Sequence, residues 1–213
     1  MKKEKITNFS DFVYYYKWHV IIAVVLVIVL ASSLHSCATK VEDDLVVSVL
    51  ISNYASADAS ENIASDLCAA GIIPDIDGDG ISKTHVNIVT LPLETQTEAD
   101  VAAGYQAMIA MAADDSMLFL VDEDLLEMYE SQGAFDDISD KAEKYGFSEE
   151  DVYIAEDGTL MGLSLKGNEY LESKGMVTDT LYACFRPLPE GELESDMIAK
   201  IKAADDILEF IIK

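Results

Sequence analysis

The sequence predicts an α/β protein: a single N-terminal transmembrane helix, then one three-layer-like α/β domain with a mixed, partly parallel sheet. Two observations carry that prediction. One is the uncharged window over residues 18–39, 22 residues long between Lys17 and Lys40. The other is the alternation of short β-branched runs with helical periods after residue 45, since parallel strands need crossover helices to connect them. The organisation that follows is a cytoplasmic segment over residues 1–17, a membrane helix over 18–39, a tether over 40–44 and a domain over 45–213.

The window has an unbroken apolar heart at residues 20–31. At about 1.5 Å rise per residue, a helix of this length spans a hydrocarbon core of about 30 Å. Lys2, Lys3, Lys5 and Lys17 precede it against Glu4 and Asp11, while Lys40 is followed by Glu42, Asp43 and Asp44. That excess of Lys keeps the N-terminus in the cytoplasm and places the domain outside. Phe12, Tyr14, Tyr15, Tyr16 and Trp18 stand where rings sit at headgroup depth.

Two other readings share the segment. Ser36-Cys37-Ala38 offers a small-x-small cleavage site, which would make the segment a secretory signal. Leu34-His35-Ser36-Cys37 looks like a lipobox, with Cys37 lipidated, although His35 fits that motif poorly. All three readings put the domain outside the cytoplasm and bring it to, or past, the lipid bilayer.

Charge narrows the partners. Of 40 acidic and 14 basic residues, 38 and 10 follow the window, so the external part carries −28. A field of that sign repels nucleic acid and anionic lipid, and attracts cations or a basic partner. About 170 residues suffice for one sizeable core. Of three cysteines, Cys37 lies at the membrane boundary, and Cys68 and Cys184 read as small buried hydrophobes rather than a disulfide framework.

The elements follow in order. Residues 45–52 form a β-branched strand. Residues 58–70 read as a helix, with Ile63, Leu67 and Ala70 on one face, Asp58 or Ser60 as cap and Gly71 as stop. Residues 85–91 form a second strand, ended by Pro92. An Ala-rich helix covers 97–113, with Val101, Tyr105, Met108 and Ala112 along one face. Residues 117–121 form a third strand, and 122–130 a helix with an acidic first turn. Phe135, Ile138, Ala142 and Tyr145 mark a broken helical stretch. Strands over 160–165 and 180–185 flank a short helix over 168–174. The last helix covers 194–212, with Ile198, Ile201, Ala204, Leu208 and Ile211 facing inward.

Several of these stretches resemble the first lobe of bacterial extracellular solute-binding proteins. They are "Glu-Ala-Asp-Val-Ala-Ala-Gly-Tyr-Gln-Ala-Met-Ile-Ala-Met" from Glu98, "Met-Leu-Phe-Leu-Val-Asp" from Met117, "Leu-Leu-Glu-Met-Tyr-Glu-Ser-Gln-Gly-Ala-Phe-Asp-Asp-Ile" from Leu125 and "Gly-Thr-Leu-Met-Gly-Leu-Ser-Leu" from Gly158. The likeness covers roughly residues 45–165, with Ser164 standing where that family usually has Pro. It implies that the third strand delivers the chain to a ligand cleft. The C-terminal helix closes the lobe instead of leading into a second, so the resemblance implies a one-lobed relative.

Asp75-Ile76-Asp77-Gly78-Asp79-Gly80-Ile81 is the one compact motif with chemistry in it. Carboxylates at positions 1, 3 and 5, Gly at 6 and the carbonyl of Ile81 at 7 match the start of a calcium loop. The twelfth position is Val86, where a bidentate Glu belongs. Two readings stay open: a weak structural Ca²⁺ site on Asp75, Asp77, Asp79 and Ile81, or an Asp/Gly-rich turn without metal.

No catalytic constellation is present in the sequence. His85 is the external His and has no metal spacing, and Gly-x-Ser-x-Gly and His-Glu-x-x-His are missing. The chain therefore reads as non-catalytic. Open α/β sheets bind ligands outside strand carboxyl ends, and the residues nearest that crevice are Asn53, Tyr54, Asp122 and Glu123. Two function classes remain. One is a solute receptor, of lipoprotein type, feeding a transporter. The other is an accessory domain that docks onto a membrane protein partner and holds no solute.

Overall fold

The computed structural model describes residues 9–38, 42–92, 97–112, 116–189 and 191–213. Residue 39, the last of the expected membrane window, and residues 40 and 41 of the expected tether lie outside them. The chain divides into two compact units, Met1–Val41 and Glu42–Lys213.

In the first unit, α1 runs as one helix of 30 residues over Phe9–Ala38. Cys37 falls inside its backbone span. Side chains of α1 are described for Trp18, His19 and residues 21–33. Among the described residues no helix is long and apolar enough to cross a membrane.

The second unit is an α/β domain around a six-stranded mixed sheet of order β2-β1-β3-β6-β5-β4. Its strands are β1 (Leu45–Ile51), β2 (Thr84–Thr90), β3 (Ser116–Asp122), β4 (Val152–Ile154), β5 (Leu160–Ser164) and β6 (Leu181–Phe185). β1 pairs in parallel with β2 on one side and β3 on the other. The pairs β3–β6, β6–β5 and β5–β4 are antiparallel. The helices are α2 (Ala59–Ala69), α3 (Glu98–Ala112), α4 (Glu123–Glu130), α5 (Ser139–Tyr145), α6 (Glu169–Ser173) and α7 (Ser195–Ile212).

Alternation along the strands builds two cores. Leu45, Val47, Val49 and Ile51 of β1, with Leu118 and Leu120 of β3, face α2, α5, α6 and α7. Leu50, Phe119, Val121 and Cys184 face the other way, against Ala107 of α3 and Leu125, Leu126 and Tyr129 of α4. β3 is buried along its whole length, as a central strand covered on both faces must be.

Three local expectations change. Asp58 makes no side-chain cap bond, and the Ser60 hydroxyl instead donates to the Val86 carbonyl, tying α2 to β2. Ile198 is exposed, because α7 stays at the surface over its first turn and buries only from Ala203 onward. In α3 the face with Val101, Tyr105 and Met108 points to solvent, and the helix meets the sheet through Ala103, Ala107 and Met111.

Candidate functional site

β1 lies between β2 and β3, so the chain leaves β1 to one side and returns on the other. The switch point, where open sheets form their ligand crevice, is therefore between β1 and β3. The residues that emerge there are Ser52, Asn53 and Tyr54 after β1, and Asp122 and Glu123 at the end of β3. The sequence predicts that Asn53, Tyr54, Asp122 and Glu123 stand at this crevice, and the structure joins Asn53 to Asp122 there by hydrogen bonds.

Asp122 is 1% exposed. Its Oδ2 accepts from the Ser52 N–H at 2.7 Å and the Ser52 hydroxyl at 3.0 Å. The same oxygen accepts from the Asn53 N–H at 3.3 Å and Asn53 Nδ2 at 3.2 Å. The Thr180 hydroxyl reaches Oδ1 at 3.5 Å, and the Glu123 N–H donates to the Thr180 carbonyl at 2.8 Å. A buried carboxyl group needs such partners. Here they all come from the chain itself, so Asp122 clamps the two loops together.

The loop after β1 is tied down again further along. The Ser56 N–H donates to the Gly175 carbonyl at 2.9 Å, and Ala55 pairs with Met176 in an isolated antiparallel bridge. Tyr54 is left 72% exposed. Of the four residues chosen from sequence, Asn53 and Asp122 meet directly, Glu123 joins through its backbone, and Tyr54 stands apart. Ser52 is the partner that sequence reasoning missed, because its role depends on which strands are neighbours.

The acidic loop sits at the opposite, amino-terminal end of β1 and β2. Asp75 accepts from the Gly78 and Gly80 N–H groups at 2.8 and 2.9 Å. Asp77 accepts from the Asp79 N–H at 2.9 Å, and Asp79 from the Ile81 N–H at 2.7 Å. Gly78 and Gly80 take φ of +77° and +84°, so the left-handed turns require glycine.

Asp44, which the sequence put at the end of a tether, is buried in this loop. It accepts from the Ile76 N–H at 2.6 Å, the Asp77 N–H at 3.3 Å and the Lys83 N–H at 2.8 Å. One carboxylate oxygen each from Asp44, Asp75 and Asp77 lie within 4.8 Å of one another. Asp79 stands outside that group. Val86 is buried in β2 and offers no ligand at the twelfth position. Three hard oxygen donors from two chain segments suit Ca²⁺ in kind, and fall short of its usual six to eight ligands in number.

Other reactive groups are buried or separated. Cys68 and Cys184 are free thiols that pack on opposite faces of the sheet, which rules out a bridge between them. Burial pushes the Cys184 thiol well above its ordinary range, so it stays protonated. His85 is exposed on β2. Cavities of about 520, 440 and 130 Å³ lie beside the two ends of α7 and the start of α5, and none of these is lined by Asn53, Tyr54, Asp122 or Glu123. Compared with known proteins, the chain matches no family model and no curated protein.

Proposed function

We propose that this is a single-pass membrane protein whose α/β domain works outside the cytoplasm by docking onto a membrane protein partner, without catalysis of its own. It resembles one lobe of a solute-binding protein whose crevice has been given over to structure. The observation that carries this reading is the Asp122 clamp. Four donors from Ser52 and Asn53 occupy the carboxyl oxygen that a solute at the switch point would use. A solute would have to displace these half-buried and exposed donors from the buried Asp122 oxygen, at a net cost of about 0.5–1.5 kcal/mol for each hydrogen bond.

The anchor is a reading of the sequence: the window over 18–39 is uncharged, and α1 runs through most of it as one helix. All the large side chains described from Ile21 to Leu30 are apolar and exposed, on every side of the helix. A helix that is apolar all round belongs in a membrane or a large core. The Lys excess before it sets the N-terminus inside.

The acidic loop is proposed as a weak structural Ca²⁺ site, on the specific observation that buried Asp44 adds a third carboxylate to Asp75 and Asp77. Asp44 would supply a further carboxylate to a loop that has Val86 where a bidentate Glu belongs.

Protease added to intact protoplasts tests the topology. The domain after residue 41 should be digested, and full protection would overturn the reading. Retention in the membrane after Cys37→Ser supports the anchor, whereas release into the medium points to the lipoprotein-type receptor.

A further inference from the structure

The cavity of about 130 Å³ at the start of α5 is lined from four parts of the domain: β3, β6, the entry to α5, and α7. Met117, Ile138, Phe185 and Ile201 make its apolar wall, with Leu188 beside them 44% exposed. Backbone hydrogen bonds fix that wall. The Asp136 N–H donates to the Phe185 carbonyl at 2.9 Å, and the Arg186 N–H to the Met117 carbonyl at 3.1 Å. The cavity is thus built on paired backbone and is already formed, as binding pockets usually are.

Size limits the occupant. Pockets that enclose a whole solute run to about 300–1,000 Å³, whereas an apolar cavity of about 150 Å³ takes a group the size of benzene. A volume of about 130 Å³ suits one aliphatic side chain, delivered by a longer chain. Apolar surface also continues outside: Ile198, three residues before Ile201 on the same face of α7, is 55% exposed.

Charge narrows the choice further. Lys141 Nζ is ion-paired with Asp205 and lies 4.3 Å from the Phe185 ring centroid. The Arg186 guanidinium donates to the Met111 carbonyl at 2.6 Å. Both bases at the cavity therefore have partners within the chain. Asp136, Asp137 and Asp140 line the same cavity, and none of the three is ion-paired among the described residues. Asp136 accepts from the Asp137 N–H, and Asp137 from the Ser139 N–H and hydroxyl. No Lys or Arg stands between Lys83 and Lys141 to offset these acids from within that stretch. An occupant that brings its own positive charge is favoured, and a second copy related by a two-fold axis would set the acids against themselves.

We infer that this cavity is the anchor point of the docking surface, and that it takes one aliphatic side chain from a partner segment carrying Lys or Arg on both sides of it. The apolar group fills the cavity and excludes water, and the flanking bases pair with Asp136, Asp137 and Asp140 at its rim. This rests on the docking reading above and names its anchor and the chemistry of its partner.

The test uses the full-length chain in nanodiscs of zwitterionic lipid, with protein-free discs as background. The probe is a fluorescent peptide with a photoreactive diazirine analogue of Leu between Lys pairs in a Gly/Ser chain. Controls replace the Leu by Ala, or the Lys by Glu. Anisotropy should show saturable binding of the Leu/Lys probe, weaker by about tenfold with Ala and lost with Glu. Irradiation should attach the probe within residues 136–141, within 185–188 or at Ile201. Ile201→Phe should weaken binding about tenfold by filling the cavity. Asp140→Lys should weaken the Lys probe severalfold and admit the Glu probe, a reversal that damaged folding cannot produce.

Equal binding of the Leu and Ala probes, attachment spread over the domain, or binding unchanged in both variants overturns the inference. So does pairing of chains between discs that Ile201→Phe abolishes, which would seat a second copy at the cavity. Protease protection of the domain in protoplasts would instead remove the reading beneath. An accessible domain that binds no probe removes this inference alone.

Discussion

The carboxyl group of Asp122 holds Ser52 by both its backbone N–H, at 2.7 Å, and its hydroxyl, at 3.0 Å. These residues lie 70 positions apart and end neighbouring parallel strands. The contact bridges the switch point of the sheet, the place where open α/β sheets form their crevice.

Removing the clamp therefore costs folding stability. Asp122→Ala takes the acceptor from half-buried Ser52 and exposed Asn53 and empties a buried position, and the expected loss is about 2 kcal/mol. Asp122→Asn keeps an oxygen but places an amide against donors, with an expected loss of about 1–2 kcal/mol. Denaturant unfolding of both variants checks the order. Equal stability of wild type and Asp122→Ala would show that the clamp does nothing.

Gly175 secures the same loop from the other side. Its φ is +81°, and a Cβ there would lie 2.6 Å from the Ser56 Cβ. Gly175→Ala should lower stability by about 1–3 kcal/mol, through both the left-handed backbone and the clash. Gly133→Ala, also at positive φ but with open space around its Cβ, isolates the backbone part. Thermal melts should place Gly175→Ala below Gly133→Ala.

Much of this fold is legible in the sequence. Runs such as Leu45–Ile51 and Ser116–Asp122 are short, almost wholly apolar and bounded by turns or helix starts, so their strands can be read within a residue or two. β4 (Val152–Ile154) is missed because three residues, two half-buried and one exposed, carry no periodicity. The outward face of α3 is missed for a different reason. Apolar spacing reports which residues share a face, and cannot say whether that face is covered by this chain or by another. The site is only partly legible. The carboxyl edge picks out Asn53 and Asp122, while Ser52 and Asp44 act through strand neighbours that local sequence does not reveal. Asp44 reaches the acidic loop because Leu45 pairs with Thr84.

Calcium should stabilise the domain modestly. Three close carboxylates repel one another unless a cation offsets them. With a Kd at the weak end of the range, about 10⁻⁴–10⁻³ M, a severalfold excess of Ca²⁺ adds about 1 kcal/mol. The melting temperature of the full chain should rise with millimolar Ca²⁺, and Asp75→Asn and Asp77→Asn should abolish the rise. A curve unmoved by calcium would leave the loop as a turn braced by its own N–H groups.

Alkali should unfold the domain early. Burial raises Tyr129, Tyr153, Tyr170 and Tyr182 above their ordinary value of 10.0, and for Tyr153 the hydrogen bond to Glu130 at 2.6 Å adds to the rise. Groups whose folded pKa is raised contribute stability that is complete below the unfolded pKa. That contribution is lost as pH climbs through the folded values, so stability should be flat below about pH 10 and fall above it. Tyr153→Phe should flatten part of the fall and cost about 1 kcal/mol at neutral pH, by loss of the bond to Glu130. Tyrosinate absorbance recorded alongside unfolding tests the link, and four tyrosines ionising in the folded state near pH 10 would break it.

Native mass spectrometry of the full-length protein, released from its own membrane by mild detergent, tests the central claim most directly. If the domain docks through its surface while its crevice is clamped by Asp122, the chain should appear with a stoichiometric membrane protein and no stoichiometric small molecule. A chain carrying one tightly held solute, with no protein partner, would contradict the account and make this a solute receptor.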